Sequence, residues 1–334
     1  MNPKKEHGNS YSYSYNQRDL SHWLSSFSSI LNVGTSNGHL PYPGHHADGY
    51  AKACCIEEGF SFRLVHYKLN KDFEHRVEPS ADFNLIIYFY QFESNNKIHF
   101  EIGDNIIESE GKTYRAVVMT NSRIKQKLVL LKGTEVKGLT IQLTEQWINK
   151  HIGNENGKNH SLLKQNSYLL DILNPKSLKI LNDILQNQDE SQIPQLYISS
   201  RVMRLLNNFL DNILKRDIVE HVLSISSKDF ESILRIEGLL LENYGEVFPK
   251  IEKLARLALM SESKLKKIYK QAFGMGLFEY YQKNRMHKAK ELLNTGEYTV
   301  SQVGSLLGYQ NLSNFSNSFK KEFNRLPRDY EQVG

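Results

Sequence analysis

No apolar run in the 334-residue chain approaches the roughly 18 residues that a membrane span needs, so no transmembrane helix is expected. Cysteine is nearly missing. The two present, Cys54 and Cys55, are neighbours and cannot frame a disulfide scaffold. The opening MNPKKEHGNSYSYSYNQ has no apolar segment behind its lysines and does not read as a secretory leader. Together these absences fit a reducing cytoplasm. Equally missing are a nucleophile elbow, a phosphate-binding loop and a dinucleotide fingerprint. No acid, base or nucleophile set has diagnostic spacing, so no catalytic residue is assigned, no enzyme is expected and no cofactor is implied. Metal ligands are too sparse for a metal site: FEHRVEPS offers His75 and Glu78 as its candidate pair, and no distal His matches them. His45 and His46 stand in a Gly/Pro-rich loop and read as exposed side chains. Cys54 and Cys55 read as two small buried residues at a strand start rather than as a thiol sensor.

What is present is a mild basic excess, 42 Lys+Arg against 37 Asp+Glu. It is denser at the C-terminal end: 16 − 13 = +3 from Asp229 onward, against 26 − 24 = +2 over the preceding 228 residues. That permits nucleic-acid binding without requiring it.

The chain changes texture along its length, and the fold class expected is α+β and multidomain. Residues 1–20 lack an apolar period and are expected to be a disordered tail. Residues 21–143 form a β-rich domain, opening with a short helix over 21–33 and a loop over 34–50. FSFRLVHYKL, FNLIIYFYQF, TYRAVVMT, KQKLVLL and VKGLTIQL are rich in β-branched and aromatic residues and are divided by turn signals. Strands this short and close predict a sandwich or small barrel. FNLIIYFYQF is apolar on both alternations and should be central. Residues 144–227 turn helical. There Ile198, Val202, Leu205, Leu206, Phe209, Leu210, Ile213 and Leu214 form one four-turn stripe; it reads as domain core first and as a helix–helix dimer seam second. Residues 228–334 are helical throughout, with Ser227 or Asp229 as the candidate cap of their first helix.

Within that last region a pattern occurs twice. IEKLARLALMSESKLKKIYKQAFG and VSQVGSLLGYQNLSNFSNSFKKEFN each read as short helix, tight turn, second helix. Leu265, Tyr269 and Phe273 recur as Phe315, Phe319 and Phe323, 50 residues later. Small residues, Ala255 and Gly304, allow a close helix crossing, and Gly308 suits a positive φ at the turn. Ser261 can cap the second helix of the first unit, with Glu262 beside it. On a helical wheel, Leu312, Phe315, Phe319 and Phe323 share one side. Gln310, Asn314, Asn317 and Lys321 oppose them, with Ser313 at the edge. In the earlier helix Ser263, Lys267 and Lys270 face outward, with Lys266 on the flank. Short amides and hydroxyls reach base edges in a major groove, and lysines reach phosphates. Between the two units, LFEYYQKNRMHKAKELLN predicts one long helix with Phe278, Tyr281, Ala289 and Leu292 on a shared face. Arg285 projects onto that face and is expected to be held in a structural salt bridge.

Residues 230–330 resemble the AraC/XylS family of transcription regulators. The likeness rests on the small-residue turn, Arg285-x3-Ala289-x2-Leu292-Leu293, Gly308-Tyr309, Phe315-x3-Phe319-Lys320 and the closing Pro327. Departures are Gly304 for a usual Ala, Tyr309 for a usual Phe and Asn324 for a usual Gly. The resemblance implies two recognition helices in successive major-groove segments of double-stranded DNA, with Ser263, Lys266, Lys267, Ser313 and Asn317 facing bases. It further implies a cupin-like sensing half, a small-molecule effector, a homodimer, contact with RNA polymerase and, by the family's habit, activation. VLLKGTEVKGLTIQLTEQWI, followed by helices ending in LYISSRVMRLLNNFLDNIL, resembles the sensor halves of regulators of siderophore and iron uptake; a sugar-responsive regulator is the competing reading. A front half serving only for dimerisation or interaction, or carrying enzymatic activity, is the remaining alternative.

Overall fold

Most of residues 39–144 fold as strands of two sheets. The computed structural model describes residues 10–16, 20–109, 112–152, 168–173, 175–187, 193–215, 227–273 and 275–330. The chain divides into two units, Met1–Glu231 and Ser232–Gly334, a few residues beyond the boundary expected after residue 227.

In the first unit the strands are β1 (Ser10–Asn16), β2 (His39–Pro41), β3 (Ala47–Glu57), β4 (Phe60–Leu69), β5 (Asp72–Glu78) and β6 (Asn84–Glu93). They continue as β7 (Ile98–Ile102), β8 (Asn105–Ser109), β9 (Thr113–Asn121), β10 (Gln126–Leu130), β11 (Glu135–Thr144) and β12 (Leu169–Ile172). A seven-stranded sheet runs β12-β9-β6-β11-β4-β3-β2, and a five-stranded sheet runs β1-β5-β10-β7-β8. Strand β6 lies between β9 and β11. Its residues Leu85, Ile87 and Phe89 join the core under the helices, while Phe92 joins the core between the sheets. Burial on both faces is why FNLIIYFYQF carries no polar alternation.

Helices α1 (Leu20–Leu31), α2 (Glu145–His151), α3 (Pro175–Asn187) and α4 (Pro194–Lys215) complete this unit. The stripe on α4 is core. Ile198, Val202, Leu205, Phe209 and Ile213 are buried with the helix-side residues of the seven-stranded sheet, and the Phe209 ring meets Phe89 edge-on at 5.4 Å. A stripe already covered by its own sheet is not a dimer seam.

Three expectations need correction here. Residues 10–16 of the expected disordered tail form β1, paired in parallel with β5, and Tyr13 is 2% exposed against Phe27. The alternation of Tyr and Ser counts as polar by composition, yet it places an aromatic ring on one face of a half-buried strand. Residues 1–9 of that expectation, and 17–19, lie outside the described residues. The expected loop over 34–50 contains β2 and the start of β3, because pairing with β4 outweighs its Gly/Pro content. Finally, Cys54 and Cys55 sit toward the end of β3, where Cys54 is half-buried and Cys55 exposed.

The second unit contains α5 (Ser227–Glu242), α6 (Ile251–Leu257), α7 (Glu262–Phe273), α8 (Leu277–Asn294), α9 (Val300–Leu306), α10 (Leu312–Phe323) and a 3-10 turn, Pro327–Tyr330. Ser227 begins α5 and Asp229 lies in its first turn, so the chain enters this helix earlier than Phe230. One core joins Met286, Ala289, Leu293, Val303, Leu307, Phe315 and Phe319. In the other half Tyr269, Phe273 and Tyr280 pack as a ring cluster. Glu237, fully buried, accepts the Tyr280 hydroxyl hydrogen bond. Burial, reinforced by the Glu237 charge, holds the Tyr269 phenol well above its usual range.

Two apolar residues are less covered than the wheel predicts. Phe278 is 55% exposed, touching only the edge of Phe248 among the described rings, since it lies in the first turn of α8. Leu312 is 46% exposed because it opens α10, although one of its methyls lies against the Gly304 site.

Candidate nucleic-acid interface

The two halves of the second unit repeat down to single hydrogen bonds. After α6, Leu259 N donates to Arg256 O at 3.1 Å and Met260 N to Ala255 O at 3.0 Å. After α9, Gly308 N donates to Ser305 O at 2.9 Å and Tyr309 N to Gly304 O at 2.9 Å. This is the double bond that closes a helix on a left-handed residue. Leu259 has φ 53° and Gly308 φ 73°. A leucine pays for that conformation with a Cβ clash, and its side chain is 77% exposed, so it gains little from packing. Leu259→Gly is therefore expected to stabilise the second unit by about 1 kcal/mol, read as a raised unfolding midpoint of the intact chain.

The second helices then begin one residue out of step. Ser261 Oγ accepts from Lys264 N at 3.2 Å and caps α7. Asn311 Oδ1 accepts from Ser313 N at 2.8 Å and Asn314 N at 3.4 Å, capping α10. Gln310 is the inserted residue. It explains why the turns are related by 49 positions and the aromatic stripes by 50. Ala255 is buried, and a Cβ on Gly304 would meet the Phe315 ring at 3.3 Å; both permit the close crossing that fixes the angle of the second helix. Asn324 ends α10 with φ 55°, a conformation asparagine tolerates as glycine does.

Arg285 is where the structure departs from expectation. It is 8% exposed, and no carboxylate among the described residues pairs with it. Its Nε donates to Leu307 O at 2.7 Å, Nη2 donates to the same oxygen, and its guanidinium lies 4.1 Å from the Tyr309 ring. The expected salt bridge is instead a carbonyl cap on the end of α9. The reason is geometric: the side chain arrives at a helix C-terminus, where unbonded carbonyls supply the negative end of the dipole. Arg235 does the same in the first half, with Nη2 donating to Leu257 O at 2.6 Å. Sequence reasoning missed Arg235, whose only signal is its position 50 residues before Arg285. Pro327 is buried and starts the closing turn.

Every residue singled out for nucleic-acid contact lies on the surface. Ser263, Lys266, Lys267 and Lys270 on α7, Gln310 before α10, and Ser313, Asn314, Asn317 and Lys321 on α10 are all exposed. Phe315 and Phe319 on the opposite side of α10 are fully buried. Lys266 is engaged by Glu262 at 3.3 Å, a pair that a phosphate would compete for. The side-chain amides of Gln310, Asn314 and Asn317 make no hydrogen bond among the described residues, whereas that of Asn311 is consumed by its cap.

In the first unit, His75 stacks between Tyr13 and Phe73, while Glu78, an odd number of positions along β5, lies on the other face. Desolvation, with the Arg63 charge added, lowers the His75 imidazole to about 3. Among the described residues, no three His, Cys, Asp or Glu side chains gather as metal ligands would, and no helix is long and apolar enough to cross a membrane. Arg63 is buried over the Trp23 ring at 4.3 Å and donates to Thr140 Oγ1 at 3.3 Å. In the same set of described residues, the side-chain donors Trp23 Nε1 and Gln126 Nε2 are buried without a hydrogen-bond partner.

Residues 254–332 match the family described as a helix-turn-helix domain. Among curated relatives, a probable transcriptional regulator, LumQ, of Photobacterium leiognathi is 24% identical over 172 residues, covering 50% of this chain and 63% of that one. The transcriptional activator RhaR of Yersinia pseudotuberculosis is 30% identical over 104 residues, 31% of this chain and 36% of the relative. The chain thus spans less than two thirds of either relative's length. A solved transcriptional regulator from Chromobacterium violaceum, with an AraC-type DNA-binding domain, is 24% identical over 30% of this chain and 88% of that one, with a TM-score of 0.28.

Proposed function

We propose that this chain is a sequence-specific DNA-binding regulator of transcription of the AraC type, because residues 254–332 match a helix-turn-helix domain family. In this reading α7 and α10 enter successive major-groove segments on one face of a duplex, about 34 Å apart, with α8 as the rigid spacer. The carrying observation is the pair of matched turns that each present an exposed polar face over a buried aromatic stripe. Recognition helices need that combination: the ring stripe fixes the helix, and the outer face is left for bases and phosphates.

The first unit is proposed to sense a small-molecule effector in a cupin-like sandwich and to pair two chains. The supporting observation is the set of buried polar side chains between the sheets, which an apolar core would not hold. An activating role through contact with RNA polymerase, and a siderophore-type or sugar effector, follow the family resemblance. The second reading is a ligand-independent regulator whose first unit only joins chains. A thermal-shift screen of siderophores, sugars and aromatic acids separates the two; stabilisation by one class supports sensing, and none at all favours the second reading.

The DNA-binding reading is tested with a duplex selected from a random library by the intact chain. The double variant Lys267→Ala, Asn317→Ala is expected to lose at least about tenfold in specific affinity, with an unchanged thermal midpoint because both residues are exposed. Unchanged specific affinity would refute the assignment of these faces.

A further inference from the structure

The two reading faces are chemically different at matched positions. With the 50-residue offset of the stripes, Ser263 corresponds to Ser313, Lys264 to Asn314, Lys266 to Ser316 and Lys267 to Asn317. Three lysines on α7 thus stand where α10 carries two amides and a hydroxyl. Over their first eight residues, ESKLKKIY and LSNFSNSF, α7 has three lysines and one glutamate, 3 − 1 = +2, and α10 has no charge at all. Those first turns are the part of a recognition helix that meets base edges. The lysines of α10, Lys320 and Lys321, fall in its last turn.

We infer that α10 reads adenine and that α7 supplies the salt-dependent, phosphate-directed grip; this rests on both helices entering DNA as proposed above. A side-chain amide holds a donor and an acceptor in one plane. It therefore matches the N6 donor and N7 acceptor that adenine alone presents in the major groove. An ammonium group has donors only, so it takes phosphate oxygens or the two acceptors of guanine and cannot satisfy adenine N6. Asn314 and Asn317, one turn apart on the exposed face of α10, are the reading amides. Gln310, inserted just before the cap and exposed, stands four residues ahead of Asn314 with its own amide unengaged among the described residues. Asn311 is excluded because its amide oxygen is held by the helix N-terminus. The half-site under α10 then carries adenines opposed to Asn314 and Asn317, and the half-site one turn away is held mainly through its backbone.

The experiment is a selection of random duplexes by the intact chain, followed by titrations of the recovered site at several salt concentrations. The expected consensus has fixed A·T pairs in one half-site. Asn317→Ala is expected to lower discrimination at one of those pairs by roughly 5- to 150-fold and to leave the slope of log affinity against log salt unchanged. Lys267→Ala is expected to weaken all sequences alike and to reduce that slope by about 1. A well-defined consensus with G·C pairs under α10, or a salt slope altered by Asn317→Ala and not by Lys267→Ala, overturns the division while leaving DNA recognition standing. Failure to recover any preferred sequence overturns both.

Discussion

Gly308→Ala is expected to destabilise the second unit by about 2–5 kcal/mol, the sum of a left-handed backbone carrying a Cβ and an overpacked contact. Gly308 has φ 73°, and a Cβ there would stand 2.2 Å from the carbonyl oxygen of Gly245 and 2.9 Å from its carbon. Both obstacles are backbone, so no rotamer change relieves them. The turn after α9 then opens, and α10 loses the crossing that aims its outer face. In a melt of the intact chain the effect appears as an early transition confined to the second unit, accompanied by loss of specific DNA affinity. A midpoint within a degree of the parent chain would show that the turn is not as tight as described. The matched Leu259→Gly exchange, made in the opposite chemical direction, carries the opposite sign.

Arg285→Ala is expected to cost about 3 kcal/mol. Two charge-assisted hydrogen bonds to Leu307 O are lost, a buried carbonyl is left without its donor, and the cation over Tyr309 goes with them. Arg285→Lys separates a carbonyl cap from a simple counter-charge role. A lysine brings the same charge but no fork, so it is expected to restore only part of the loss. Full rescue by lysine, measured by denaturant unfolding of the intact chain, would argue for a plain charge role instead.

Much of the second unit was legible because the sequence states it twice. A stripe of Leu265, Tyr269 and Phe273 repeated as Phe315, Phe319 and Phe323 fixes two helices. Small residues at 255 and 304 fix how closely each is crossed. What a stripe cannot reveal is the partner of a polar group within it. Arg285 lies on the apolar face of α8, as its spacing predicts, yet its partner comes from the end of α9, 22 residues away. Glu237 is hidden for the same reason: one acid among the four of an amphipathic helix looks solvated until Tyr280 is found donating to it.

In the first unit, long strands with strong alternation, such as β4 and β11, were readable to within a residue. The short strands β7 and β8 are not, because their outer faces carry His99, Glu101 and Glu108, which pair with one another and with Lys127 of β10 and dilute the apolar signal. Strand β1 is hidden in the sequence because its buried residue, Tyr13, is a tyrosine between serines. The stripe on α4 was read correctly as apolar, but a wheel cannot say whether a sheet or a second chain covers it. Burial against Phe89 and its neighbours answers that, and it moves any pairing surface to other residues.

The most direct test of the paired grip is hydroxyl-radical footprinting of the intact chain on its selected duplex. Two protected patches are expected on one face of the DNA, one helical turn apart. Lys267→Ala should weaken one patch and Asn317→Ala the other. A single patch, or two that ignore both substitutions, would contradict the claim that α7 and α10 hold adjacent grooves.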